Sequence, residues 1–464
     1  MRETASKRFS ERMRSEGLPE IAIRSFLRNL DFVTAGGATT IGEAELEPVE
    51  TLPRLEGLER EARRGREAAR RTAVIKLNGG LGTSMGLSRA KSLLPIRDEL
   101  TFLDLIARQV LWQREAWGVS LPLVLMNSYR TREDSLQALA AYPDLPGELP
   151  LDFLQHKVPR VDAESGLPVE WPEDPSLEWC PPGHGDLYIA LQSSGMLDRL
   201  LDHGIRYAFV SNADNLGAVL DPAILGWFVE RELPFAMEVA ERTEADKKGG
   251  HLARREGRLV LREVAQCPEE DLASFQDVEK HHFFNTNNLW IDLEALARLL
   301  AESPSGPDLP VIRNEKRVSP RDPESPRCYQ LETAMGSAIE CFEGAEAIAV
   351  PRIRFAPVKT TNDLLALWSD AYRMTEDARM VPVDPELHRR RVIDLDPRHF
   401  GHVEDLQSRF AEGAPSLARC RRFSVRGDHA FGADVIAEGE VDLVNAGPDQ
   451  VRIESGTRLG RESS

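Results

Sequence analysis

Short apolar runs, TAVIKL (72–77), LPLVLMN (121–127), YAFVSN (207–212) and PFAMEV (234–239), alternate with longer amphipathic stretches such as TFLDLIARQVLWQ (101–113). The short runs have the length and composition of buried strands, and the longer stretches carry helical spacing. Their alternation predicts an α/β fold of parallel strands joined by crossover helices. Several runs end in small polar residues. Ligands of open α/β sheets bind outside the carboxyl ends of the strands, so Asn78, Asn127 and Ser211 to Asp214 are expected to border one crevice.

The pattern changes at both ends of the chain. In LPEIAIRSFLRNL (18–30), Ile21, Phe26 and Leu30 share one helical face, which predicts a packing appendage. LEREARRGREAARR (58–71) is dense in charge and reads as a solvated helix. From Phe423 onward, short β-branched pieces lie between Gly, Asp and Asn, predicting a small all-β unit of solenoid type. The expected division is an N-terminal helical appendage and connector (1–70), the main α/β unit (71–365), a linking helical segment (366–422) and the β unit (423–464).

A chain of 464 residues is long for one compact core, so about three domains, or one large domain with appendages, are expected. The five cysteines are scattered, odd in number and never in a CxxC pair, which argues for reduced thiols in a cytoplasm. No stretch has the character of a membrane span, and MRETASKRFSERMR lacks the apolar centre of an export signal. The net charge of −18 disfavours nucleic-acid backbones, yet it leaves room for a small phosphorylated ligand held by local cations and amides.

VIKLNGGLGTSMG (74–86) raises the question of chemistry. Glycine is costly to order, so four in a row of nine residues mean a turn with positive φ or a main chain that must approach a ligand. The GxxxxGK[ST] phosphate loop does not fit, since three residues separate Gly82 from Gly86 and Leu87 follows. GxGxxG does not fit either, because Met85 stands where its last glycine would be.

KLNGGLGTSMG followed by KSLLP resembles the nucleotide-binding signature of the UDP-glucose pyrophosphorylase (UTP:glucose-1-phosphate uridylyltransferase) family. The resemblance continues, in family order, through WCPPGHGDLY (179–188), VSNADNLGA (210–218), KKGGHL (247–252), FNTNNLWIDL (284–293), LETAMGSAI (331–339) and RFAPVKTTNDLL (354–365). The LPEIAIRSFL segment is similar to the bacterial branch. The resemblance implies a Rossmann-like nucleotidyltransferase fold of GT-A type, a mixed sheet flanked by helices, with the C-terminal unit a left-handed β-helix. It also implies attack of a glucose-1-phosphate oxygen on the α-phosphorus of UTP, giving UDP-glucose and pyrophosphate with Mg²⁺ as cofactor.

Residue by residue, the resemblance gives Leu77, Asn78, Gly79, Gly80, Gly82 and Thr83 to the nucleotide, together with Gln155, Gly183 and His184 for uracil and phosphates. Lys91 would carry charge to the leaving pyrophosphate, and Lys359 would reach the phosphates from the far side. Asp214 would hold the metal. Gly250, Asn285 and Asn287 would meet the hexose, with Glu332 as an additional sugar contact. His184 is expected to donate a hydrogen bond to phosphate, since no proton need be removed. His281 and His282 are assigned no ligand role. Two other readings share many of these residues: a pyrophosphorylase for UDP-N-acetylhexosamine or several sugars, and a non-catalytic UDP-sugar sensor. GGLGTSMG and PPGHGD favour the glucose enzyme over the first, and the presence of Lys91, Asp214 and Lys359 argues against the second. Pairing of copies through the C-terminal β unit is a further expectation.

Overall fold

The structure is a computed structural model describing residues 2–87, 89–320 and 322–460; the last four residues of the expected β unit lie outside them. At its centre is a ten-stranded mixed sheet. Its strands are β1 (Glu47–Pro48), β2 (Thr72–Asn78), β3 (Leu123–Asn127), β4 (Asp152–Leu154), β5 (Tyr207–Asn212), β6 (Phe235–Glu241), β7 (His251–Arg255), β8 (Arg258–Arg262), β9 (Phe283–Asp292) and β10 (Glu346–Ala349). The order β1-β7-β9-β5-β2-β3-β4 forms the main path, β6 joins β9 to β10, and β8 pairs with β7.

The apolar runs are the strands they were read to be, and β5-β2-β3-β4 is parallel throughout. The sheet as a whole is mixed, as the family resemblance implied. The ten-residue β9 runs antiparallel to both β5 and β6. Within each central strand alternate residues face opposite ways. Ile75, Val124 and Val210 pack on one side with helices Leu187–Ser193 and Leu293–Glu302, while Val74, Leu125 and Phe209 pack on the other against helices Phe102–Trp117 and Pro222–Glu230. Burial on both faces explains why these strands are continuously apolar. In register, Asn78 lies opposite Asn127 and Leu77 opposite Asn212, so the expected strand ends do share one edge.

Two expectations about the N-terminal segment need correction. In the helix Glu20–Thr34 the buried face runs through Ile23, Phe26 and Leu30, with Ile21 only half-buried. The charge-dense 58–71 segment is not a freely solvated helix. Its helix Ala62–Ala68 touches Pro222–Glu230 backbone to backbone: a Cβ on Gly65 would lie 1.7 Å from the Pro222 carbonyl, and one on Gly226 would lie 2.0 Å from that of Glu61. Charges cover the outer face, and two glycines make the inner one. In the connector, β1 adds an edge strand to the main sheet.

The region expected as a helical link contains the short helices Pro385–Arg390, Pro397–Phe400 and Val403–Arg409, and also strand Val392–Leu395. That strand opens a parallel ladder with Cys420–Arg426 and Gly439–Val444, so β structure begins well before Phe423. Two further parallel pairs, His429–Phe431 with Val451–Ile453 and Ile436–Ala437 with Arg458–Leu459, form separate small sheets. Their shared interior includes Phe423, Val425 and Phe431. It continues into Met85, Leu94 and Ile96, beneath the glycine loop.

Candidate active site

The glycine loop leaves the carboxyl end of β2. Asn78 is buried, and its amide donates to Asn127 Oδ1 (2.8 Å) and Ser135 Oγ (2.8 Å), so this side chain braces the loop's first residue. The Leu77 carbonyl accepts from Ala213 N (3.0 Å), tying the turn after β5 to β2. A Cβ on Gly79 would lie 2.6 Å from Gln155 Oε1, so glycine is what allows that amide to lie over the main chain. Gly80 faces open space, and its carbonyl accepts from Lys91 N (3.0 Å). Gly82 (φ +61°) and Gly86 (φ +77°) take the left-handed conformation around a short turn begun by the exposed Thr83. The turn returns the chain so that Lys91 Nζ stands 2.6 Å from Asp214 Oδ2, with both side chains largely buried.

The opposite wall is the 354–359 segment. Val358 N donates to the Asp214 carbonyl (3.2 Å), placing Lys359 one residue beyond that contact. Lys359 is exposed. Its ammonium lies 5.6 Å from the centroid of the Phe355 ring, which in turn packs edge-on against Phe284. Its backbone N–H and that of Thr360 donate to Asp363, capping the helix Thr361–Trp368.

The residues expected to take uracil combine Gln155 with the 183–186 turn. Gly183 has φ +81°, and a Cβ there would lie 2.4 Å from the Thr333 carbonyl. His184 Nδ1 accepts from Met335 N–H (2.9 Å), so the ring proton belongs on Nε2. Burial pushes the imidazole down to about 4. His184 is therefore a neutral donor at physiological pH. In the unfolded chain the ring protonates near 6.5, so stability drawn from keeping it neutral is lost as pH falls from about 6.5 towards about 4. We expect imidazole ¹⁵N shifts to show no titration of His184 above pH 6; a midpoint near 6.5 would contradict the assignment.

Asp186 accepts from His156 N (2.7 Å) and Nδ1 (2.8 Å), binding the Gln155 turn to the His184 turn. Sequence reasoning missed this pair. Only its position next to two motif residues could have signalled it.

Among the residues expected to meet the hexose, the Gly250 carbonyl accepts from Asn285 N (3.1 Å). Asn287 takes φ +58° at a point where the register of β6 against β9 shifts, and it exchanges hydrogen bonds with Asn285. The carboxylate at this wall is Glu263, which no motif reading had selected. A Cβ on Gly250 would lie 2.5 Å from Glu263 Oε2. Burial pushes the Glu263 carboxyl up, and Lys359 draws it back. The signal was available: a hairpin turning at Glu256 and Gly257 pairs His251 with Arg262, which sets Glu263 across from Gly250. Glu332, the additional sugar contact expected from the sequence, lies beside the 183–186 turn: a Cβ on Gly183 would lie 3.1 Å from Glu332 Cβ. Its carboxyl, raised by burial, bonds to Asn314.

Among the described residues, no three His, Cys, Asp or Glu side chains converge as a ready metal cage. Asp214 is a single carboxylate beside the glycine loop. That suits Mg²⁺, which keeps waters and completes its shell with phosphate oxygens.

A family model for UTP--glucose-1-phosphate uridylyltransferase matches residues 26–437. The chain belongs to that family. Among relatives, the UTP--glucose-1-phosphate uridylyltransferase of Hordeum vulgare is 39% identical over 393 residues, covering 83% of this chain and 80% of its own. That of Solanum tuberosum is 38% identical over 397 residues, covering 84% and 80%. A UDP-glucose phosphorylase structure from Trypanosoma brucei superposes with a TM-score of 0.89 at 44% identity, covering 99% of both chains. A mutant UDP-glucose pyrophosphorylase from Leishmania major in complex with UDP-glucose superposes with a TM-score of 0.91 at 42% identity, covering 98% of both. These uridylyltransferase relatives are from plants and protists and lend no support to the bacterial placement of the LPEIAIRSFL segment.

Proposed function

We propose that this chain forms UDP-glucose and pyrophosphate from UTP and glucose-1-phosphate. The observation that carries the reading is the meeting of Lys91 and Asp214 under the glycine loop, at the carboxyl edge of the sheet, in a chain of this family. An oxygen of the sugar phosphate attacks the α-phosphorus of UTP in line. A new P–O bond forms as the bond to the β-phosphoryl group breaks, and pyrophosphate leaves with the electron pair. No protein nucleophile or base is needed, so the residues' work is alignment and charge neutralisation.

Gly79, Gly80 and Gly82 admit the nucleotide to the main chain. Gln155 orients uracil, and His184 donates from Nε2. Lys91 neutralises the leaving pyrophosphate, and Lys359 reaches both phosphates from the opposite wall. Gly250, Asn285, Asn287 and Glu263 face the sugar hydroxyls. Mg²⁺ held at Asp214 would add positive charge on the phosphate oxygens. Glucose is favoured over acetylated sugars because the relatives above are named for glucose.

The catalytic unit is read as 71–365. The C-terminal unit is read as a left-handed β-helix that offers edges to a second copy; its three parallel ladders support the helix. Five free cysteines fit a cytoplasmic setting. Pyrophosphate release, measured with UTP and a panel of sugar 1-phosphates with and without Mg²⁺, tests the reading. The expected result is metal-dependent turnover with glucose-1-phosphate above the others. Absence of turnover with that pair would overturn it.

A further inference from the structure

Asn215 follows Asp214 and is buried, yet every hydrogen-bonding position of its amide is used. Oδ1 accepts from Gly217 N (3.1 Å) and Ala356 N (2.9 Å), and Nδ2 donates to Asn288 Oδ1 (3.2 Å) and the Arg354 carbonyl (3.1 Å). Asn288, fully buried on β9, donates to the same carbonyl (3.3 Å) and to Glu238 Oε2 (3.0 Å). Glu238 receives Arg354 Nε (2.7 Å) and a second guanidinium nitrogen (2.6 Å), plus Trp290 Nε1 (3.0 Å). Gly217 lets the two loops touch, since a Cβ there would lie 2.2 Å from the Ile353 carbonyl.

Three strand or loop segments thus converge on one amide: the turn bearing Asp214, the segment leading to Lys359, and the strand bearing Asn285 and Asn287. The exposed Lys359 ammonium lies over the Phe355 ring and within coulombic reach of Glu263, and neither contact fixes its backbone. The main chain leading to it is held at Asp214, Asp363 and Asn215. We propose that Asn215, seated on Asn288, is a positioning residue that acts through Lys359, holding the 354–358 segment so that this ammonium meets the phosphates opposite Lys91. The inference rests on the uridylyl-transfer reading. A buried amide with four partners is suited to the role, because losing it frees two N–H groups and two carbonyls at once and leaves the segment free to shift. A misplacement of about 1 Å is enough to cost about 100-fold in rate.

The test is a double-mutant cycle on the full chain, with wild type assayed alongside. Asn215→Ala is expected to lower kcat by about 10- to 100-fold while the UTP dissociation constant, measured by calorimetry without the sugar phosphate, moves less than about threefold. In a Lys359→Ala background the same change is expected to cost less than about threefold, because the group it positions is gone. Asn215→Ser, whose hydroxyl can keep one bond of the four, is read in the same cycle should the alanine chain melt below the assay temperature. Equal losses in both backgrounds, or an unchanged kcat in the single variant, overturn the positioning role. A wild-type chain that makes no UDP-glucose overturns the functional reading instead, and the positioning role with it.

Discussion

Lys359→Ala is expected to lower kcat by about 10²- to 10³-fold while UTP affinity moves less than about threefold. The structure separates these effects. The side chain is exposed, and its nearest described support is the face of Phe355 at 5.6 Å. Its removal opens no cavity and breaks no side-chain hydrogen bond among the described residues; Glu263 loses a favourable charge nearby, so thermal stability should fall by no more than about 1 kcal/mol. The backbone N–H that caps the next helix through Asp363 is retained in the variant. What disappears is a positive charge on the wall facing Lys91, where charge accumulates as the α-phosphorus becomes five-coordinate. Such a group contributes to the transition state more than to the bound substrate. Rapid-quench single turnovers, paired with UTP titrations, read the two separately. An unchanged chemical step would take Lys359 out of the site.

Asp214→Asn should have at least as large an effect on turnover, about 10³-fold or more, with loss of the response to Mg²⁺. The amide keeps the carboxylate's shape, and its oxygen can still accept from Lys91 Nζ, which stands 2.6 Å away in the native protein. The fold is therefore retained and only the charge is lost. Metal-free UTP binding should move the other way, tightening by up to about tenfold, because an anion that repels phosphate has been removed and the Lys91 charge is no longer neutralised. A Mn²⁺ titration followed by electron paramagnetic resonance should show no specific binding to the variant with UTP present. Native-like metal binding would assign the ion to other ligands. The opposed signs, weaker turnover and tighter metal-free nucleotide, distinguish loss of a metal carboxylate from general damage.

Much of the fold was legible because buried strands announce themselves by apolar runs of fixed length; β2, β3, β5 and β6 were all read this way. The direction of β9 was not legible, since apolarity carries no sign and antiparallel insertion changes no side chain. The charge-dense 58–71 segment misled for a related reason. Its contact surface is made by Gly65 and Gly226, which leave no apolar signature. The strand Val392–Leu395 is short, and its partner lies far along the chain, so local pattern could not recruit it to the C-terminal ladder.

At the site, Lys91 stands beside Asp214 and Gly79 beside Gln155, a pairing that chain order alone did not give. Glu263 was missed because it stands outside the quoted motifs, although hairpin register placed it across from Gly250. Asn215 was inside a quoted motif and still passed over. Its role is set by what lies above it in space, the 354–358 segment, and one strand's sequence does not contain that neighbour.

Met85 and Gly86 belong to the glycine loop, yet Met85 is sunk in the apolar interior shared with Phe423 and Phe431, and a Cβ on Gly86 would lie 3.1 Å from the His402 ring. The C-terminal unit is thus the floor on which the glycine loop stands. Cutting the chain ahead of Val392 would remove His402 from beside Gly86 and take away much of the apolar interior that Met85, Leu94 and Ile96 share. The unit farthest along the sequence and the first motif met in it are mechanically one piece.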